Sequence, residues 1–138
     1  MPIATLYHFG VYARIRAAGR ILLVRKTRGP YAGLLDLPGR SPEPGESWTQ
    51  TLERELHEEL GVRRSVVGEF TEFSLRVRRT SAGLPIDFRH RGVFADSPGP
   101  ADLSATVQSP DTNGAEWFDL HTDDHQRLST LVREVLRK

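Results

Sequence analysis

The sequence predicts an α+β domain in which strands and two helices share one core. Strand-length apolar runs lie at residues 3–16, 21–24, 66–78, 86–95 and 115–120, and helical amphipathic patterns at 47–60 and 123–138. Turn residues separate these runs, and 138 residues suit a single core with no second catalytic domain.

Ile3 to Arg16 is rich in Ile, Leu, Tyr, Phe and Val, and Arg14 and Arg16 alternate with Ala13 and Ile15, as in a strand with one solvated face. Ala18-Gly19 reads as a hairpin turn. Ile21 to Val24 suits a short buried strand, and Arg25, Lys26 and Arg28 form a positive rim before Gly29-Pro30 breaks it. That rim is either a phosphate-binding edge or a solvated strand end. Residues 38–45 read Pro-Gly-Arg-Ser-Pro-Glu-Pro-Gly, which predicts a loop and excludes a persistent helix or strand. Ser47 and Gln50 then form a capping box that opens a helix running to Leu60, where Gly61 closes it in a left-handed conformation and Val62 folds back on the last turn.

Beyond it, Val66 to Arg78 and Ile86 to Ala95 are predicted strands joined by the turn Ser81-Ala82-Gly83. Arg76 and Arg78 share one strand face, as do Arg89 and Arg91, to line a phosphate site or to meet water. Ser97 to Gly114, with three Pro, is a predicted lid or specificity loop. Ala115 to Leu120 is a short strand, and Asp123 to Lys138 a helix with Leu128, Leu131, Val132 and Val135 inward. Phe9, Tyr31, Trp117 and Phe118 are each more suited to core packing than to stacking on a base.

Composition removes several classes of function. Nineteen Lys and Arg against 18 Asp and Glu leave a formal net charge of +1, so nothing global attracts nucleic acid or an anionic membrane. There is no Cys, hence no disulfide, thiolate metal site or cysteine nucleophile. Neither a secretory signal at Met1–Gly10 nor an apolar membrane span is evident, and a soluble cytoplasmic protein, monomer or homodimer, is expected.

On a helical wheel Trp48, Leu52, Leu56 and Leu60 form the buried stripe of the first helix. Glu55, Glu58 and Glu59 fall together on its flank, where their mutual repulsion opposes the helix by about 0.2–0.5 kcal/mol per pair. Three readings stand: a solvated Glu-rich face, compensation by Arg54, or compensation by an oxygen-preferring Mg²⁺ or Mn²⁺.

Residues 39–62, GRSPEPGESWTQTLERELHEELGV, closely resemble the signature of the Nudix (MutT) hydrolase family, G-x5-E-x7-R-E-U-x-E-E-x-G-U with U a bulky aliphatic. Glu46, Arg54, Glu55, Leu56, Glu58, Glu59, Gly61 and Val62 are in register, and Arg40 alone departs, standing where the signature has its first Gly. The resemblance implies a Nudix-type α/β/α sandwich with a central mixed sheet. It also implies hydrolysis of a nucleoside diphosphate linked to a group X, with Mg²⁺ (or Mn²⁺) as cofactor and a nucleotide-type small molecule as partner.

By motif position, Glu58 and Glu59 are implied metal ligands, Glu55 a ligand or the general base, Arg54 the residue that orients Glu55 or its neighbour, and the carbonyl of Gly39 a further ligand. Glu46 is expected to fix the loop through backbone N–H groups. The family's base comes from a later loop in some members, which brings in Asp111 and Glu116. Arg40 either strains a turn that favours positive φ or sets a cation beside metal and phosphates, joining Arg25 and Arg28 as a substrate-binding candidate. Subfamily marks are absent: Val77 and Arg79 stand where ADP-ribose and dinucleoside polyphosphate hydrolases carry Pro and Tyr. That absence favours a nucleoside triphosphate. The competing class is a catalytically impaired Nudix-fold module that binds nucleotide or regulates. RNA end removal would need a basic surface that the balanced charge does not suggest.

Overall fold

Strand alternation and turn chemistry set the course of the chain. The computed structural model describes residues 3–61, 69–97 and 112–138. β1 (Thr5–Arg14) and β2 (Arg16–Ala17) lead into Ala18 (φ 51°) and Gly19 (φ 77°), whose positive φ values make the predicted tight turn. β3 (Arg20–Lys26), β4 (Leu35–Asp36), β5 (Gly39–Arg40), α1 (Trp48–Leu60), β6 (Thr71–Arg79), β7 (Pro85–Asp96) and β8 (Thr112–Asp119) follow. A 3-10 turn at His125–Arg127 precedes α2 (Thr130–Val135).

One sheet has the order β5-β1-β7-β6, with β1 and β7 parallel and the other pairs antiparallel. In the second, β3 pairs antiparallel with β2, β4 and β8. Alternation then sorts side chains between two layers of helix. Val11, Ala13, Val93 and Ala95 of the first sheet and Leu22 and Val24 of the second pack on Leu52, Leu56 and Leu60 of α1. On the other face Tyr12, Phe73, Phe88 and Phe94, with Ile21 and Leu23, pack on Leu128, Leu131, Val132 and Val135. Each Val, Leu, Ile or Phe among them stabilises the fold by about 1.5–3 kcal/mol when fully buried. The result is the expected α/β/α sandwich.

The capping box forms as predicted: Ser47 Oγ accepts from Gln50 N–H at 3.1 Å and Gln50 Oε1 accepts from Ser47 N–H at 2.8 Å. Gly61, φ 69°, closes the helix with its N–H on the His57 carbonyl. Trp48 departs from the predicted stripe. It is 40% exposed, because the first helical turn overhangs the core and leaves the indole against Phe9 and Phe70 at the rim.

Four further expectations change. The predicted strand 3–16 divides at Ile15, whose carbonyl accepts from Leu22 N–H and so carries the chain from one sheet to the other. Arg14 is only 6% exposed: Asp96 grips its Nε and Nη2 at 2.7 and 2.8 Å, and Nη1 donates to the carbonyls of Val135 and Lys138 at the end of α2. Within the predicted loop 38–45, Gly39–Arg40 pairs with β1 as a two-residue strand. The predicted helix 123–138 breaks at Leu128 (ψ 140°), because Ser129 Oγ donates to Asp36 Oδ1 at 2.8 Å and accepts from Val132 N–H, which starts α2 afresh. Val62 and the start of the strand expected from Val66 lie outside the described residues. So does most of the expected lid, whose end at Thr112–Gly114 belongs to β8.

Gly10 lies under the Tyr12 ring, and a Cβ there would overlap it. Gly10→Ala is expected to cost about 1–3 kcal/mol, read as a lower urea midpoint with an unchanged slope.

Candidate active site

Glu55 and Glu59 lie one helical turn apart on the flank of the Leu52–Leu56–Leu60 stripe, so packing α1 on the sheets carries both carboxyls inside. They are 0% and 2% exposed. Glu55 Oε1 accepts from Arg54 Nη1 at 2.6 Å, and Glu59 Oε1 from the Gly39 N–H at 3.4 Å. The second oxygen, Oε2, of each is buried and has no hydrogen-bond partner among the described residues. Burial pushes the Glu59 carboxyl well above the usual range, and the adjoining Glu55 carboxyl pushes it further; the Gly39 N–H and Lys26 oppose the rise.

Arg54 organises the carboxylates around the pair. Its Nε and Nη2 hold Glu46 bidentately at 2.7 and 3.0 Å, while Nη1 reaches Glu55 and, at 3.3 Å, Glu58. The hydrogen bond from Arg54, with others from the Glu43 N–H and the Thr51 hydroxyl, holds the Glu46 carboxyl down to about 2. Glu46 thus ties loop to helix. Glu58 departs from the expected set of converging carboxylates. Its side chain is 48% exposed and leans on Arg54, since position 58 lies further round the helix toward solvent than 55 and 59.

At Gly39 (φ 147°) a Cβ would overlap the Val11 carbonyl oxygen, so only glycine permits this approach to β1. Arg40 itself has no positive φ, and the expected strain is not there. Its Nε lies 3.7 Å from Glu55 Oε1, which sets a cation at the edge of the acid pair.

Two unpartnered, buried carboxylate oxygens side by side form a donor set for a hard divalent cation, with other positions left for water and phosphate oxygens. Among the described residues no group of three His, Cys, Asp or Glu side chains is assembled to hold a metal by itself.

A hollow of about 250 Å³ adjoins this site, lined among others by Tyr12, Lys26, Arg28, Tyr31, Asp36 and His90. Lys26 links the two places electrostatically, acting on Glu59 on one side and on Asp36 and His90 on the other. Of the positive rim, Arg28 lines the hollow and Arg25 does not: Arg25 lies on the other face of β3 and pairs with Glu116 at 3.5 Å. Glu116, a proposed later-loop base, is on β8 and bound by Arg127 at 2.8 Å. Asp111 lies outside the described residues. Sequence reasoning placed Lys26 in the positive rim and missed Asp36, Tyr12 and His90. The lone acid in Leu34-Leu35-Asp36-Leu37 was the one available signal, since a charge inside an apolar run needs a reason.

A family model described as NUDIX domain matches residues 5–136, and the chain belongs to that family. It is 46% identical over 61 residues to the CTP pyrophosphohydrolase of Escherichia coli (strain K12), a stretch covering 44% of each protein. The structure resembles a MutT NUDIX hydrolase from Burkholderia pseudomallei at a TM-score of 0.64 and 26% identity, covering 95% of this chain and 96% of that one. It shares its fold with the MutT protein of Methanosarcina mazei Go1 at a TM-score of 0.71 and 23% identity, over 99% and 94% of the chains.

A carboxyl whose folded pKa is raised contributes its full stability below the unfolded value of about 4.3 and loses it as the pH rises through the folded value. Glu59 is such a group. Glu59→Gln, which mimics the protonated acid, is therefore expected to match the parent near pH 4. Near pH 8, in chelator, it should exceed it by on the order of 1–2 kcal/mol, measured by urea denaturation.

Proposed function

We propose that the chain hydrolyses a phosphoric anhydride bond of a nucleoside diphosphate linked to X, with a nucleoside triphosphate as substrate and CTP the first to test. The pair of buried, unpartnered oxygens on Glu55 and Glu59 beside a cation-rimmed hollow carries this reading. Glu59 and Glu55 would hold Mg²⁺ or Mn²⁺, with Glu58 on the same flank able to join them, and the ion supplies charge neutralisation to the diphosphate and acidity to water.

The chain's own residues do the rest. Lys26 and Arg28 at the hollow, with Arg40 at the acid pair, meet phosphate oxygens and orient the anhydride. Tyr31, Phe88 and the His90 imidazole wall the space for the base. Glu55 has Oε1 engaged by Arg54 and one oxygen, Oε2, unengaged; where Glu58 takes its place on the ion, that oxygen accepts the proton of the attacking water. CTP comes first because the E. coli relative carries that activity in its name.

One observation favours a second reading, the impaired nucleotide-binding module. Arg40, 3.7 Å from Glu55, supplies part of the countercharge that a metal would bring. Incubation with Mg²⁺ or Mn²⁺ and a panel of nucleoside triphosphates, dinucleoside polyphosphates and nucleotide sugars separates the two. Turnover of a triphosphate to monophosphate and pyrophosphate is expected, reduced about a hundredfold or more in Glu59→Gln. Added Mg²⁺ should raise the Tm of the parent and not of the variant. A folded protein that binds nucleotide and turns over nothing on the panel would be the module.

A further inference from the structure

Deep in the hollow three polar groups form a string that the hydrolytic step does not use. His90 is 1% exposed; its Nε2 lies 2.7 Å from Tyr12 Oη and its Nδ1 2.9 Å from Tyr31 Oη. Phe88 stacks on the imidazole and Phe73 meets it edge-on, with centroids at 5.0 and 5.2 Å. Glycine makes the arrangement possible. Gly10 leaves room for the Tyr12 ring to lie along β1 toward His90, and Gly92 stands beside Gly10 on β7.

Burial, then His8 and Lys26, draw the His90 pKa down to about 3, so the ring is neutral. Burial, with Asp36 adding to it, pushes both tyrosine hydroxyls up, so both keep their protons. A neutral imidazole has one N–H and one bare nitrogen. The string therefore holds three protons, two O–H and one N–H, for two O···N contacts. One hydroxyl proton is left over, and it sits at one end. When Nε2 accepts from Tyr12, Nδ1–H donates to Tyr31 and the Tyr31 proton is spare. In the other tautomer the spare proton is on Tyr12.

We propose that the Tyr12–His90–Tyr31 string delivers this one spare proton from Tyr31 to an acceptor atom on the ring bound in the hollow, with His90 held as the Nδ1–H tautomer. Tyr31 lines the hollow beside Gly29, Pro30 and Arg28 and is the less deeply buried of the two tyrosines, so its hydroxyl is the end of the string open to a ligand. The ligand class is a planar heterocycle that presents a ring nitrogen lone pair or carbonyl oxygen at its inserted edge. Tyr31 is then a specificity-determining residue, and His90 and Tyr12 are positioning residues that fix where its proton points. Placing a nucleotide's ring in this hollow rests on the functional reading above.

The test reads the imidazole itself. In protein labelled with ¹⁵N-histidine, long-range ¹H–¹⁵N spectra show which ring nitrogen carries the proton, and the His90 signals are those missing from the spectrum of His90→Gln. AMP, GMP, CMP and UMP are titrated in turn. At least one should bind with His90 as Nδ1–H. Tyr31→Phe should weaken that nucleotide about tenfold to a hundredfold. In turnover of the matching triphosphate the loss should appear in KM rather than kcat. A bound state with Nε2–H, or a Tyr31→Phe protein that binds as the parent does, overturns the proposal. So does a panel in which no nucleotide binds; if that protein still hydrolyses triphosphates, the hydrolase reading survives alone. A nucleotide that sets the Nδ1–H tautomer in a protein with no turnover sinks the hydrolase reading and leaves the string standing.

Discussion

Two carboxyls buried against each other on one turn of α1 constrain everything near them. Removing an ionised carboxylate from water costs several kcal/mol unless countercharge and hydrogen bonds offset it. The described residues supply these unevenly: Arg54 to one oxygen of Glu55, the Gly39 amide to one oxygen of Glu59, and no hydrogen bond to the remaining oxygen of either. Gly39 can approach only because it lacks a Cβ. Arg54 in turn is held in place by Glu46, so the loop after β5 and the helix are tied into one unit by a single guanidinium. A protein built only for stability has no reason to keep that imbalance.

The sandwich keeps the acids and the hollow distinct but adjoining. β1 runs between them, with Val11 and Ala13 under α1 and Tyr12 facing the other layer. β3 does the same at its end, where Arg25 turns away to Glu116 while Lys26 turns toward Glu59, Asp36 and His90. Period-two alternation thus decides which member of a run of cations serves the site. Asp36 extends the connection, since its oxygen accepts from Ser129 and anchors the start of α2 to the wall of the hollow.

Much of this was legible in sequence. The capping box, the Gly61 closure, the Ala18-Gly19 turn and the acidic flank all depend on neighbours within about four residues, where local geometry is nearly sufficient. The split of 123–138 into two pieces was not, because the residue that breaks it, Ser129, is bonded to an acid far away in the chain. Arg14 misled for a similar reason: its alternation suits a solvated face, yet Asp96 and the last carbonyls of α2 surround it.

The sequence alone determined that three acids and an arginine lie on the flank of one helix, since the α-helical period follows from bond geometry. Only the tertiary structure decided which acids are taken out of water. Docking α1 on the sheets buries positions 55 and 59 and leaves 58 half-exposed against Arg54, a distinction set by which side of the helix meets the sheets. Only the fold, too, brought together Tyr12, Tyr31 and His90. Hydrogen bonds between residues so distant in the chain form when packing closes the intervening loops, and no local pattern records them.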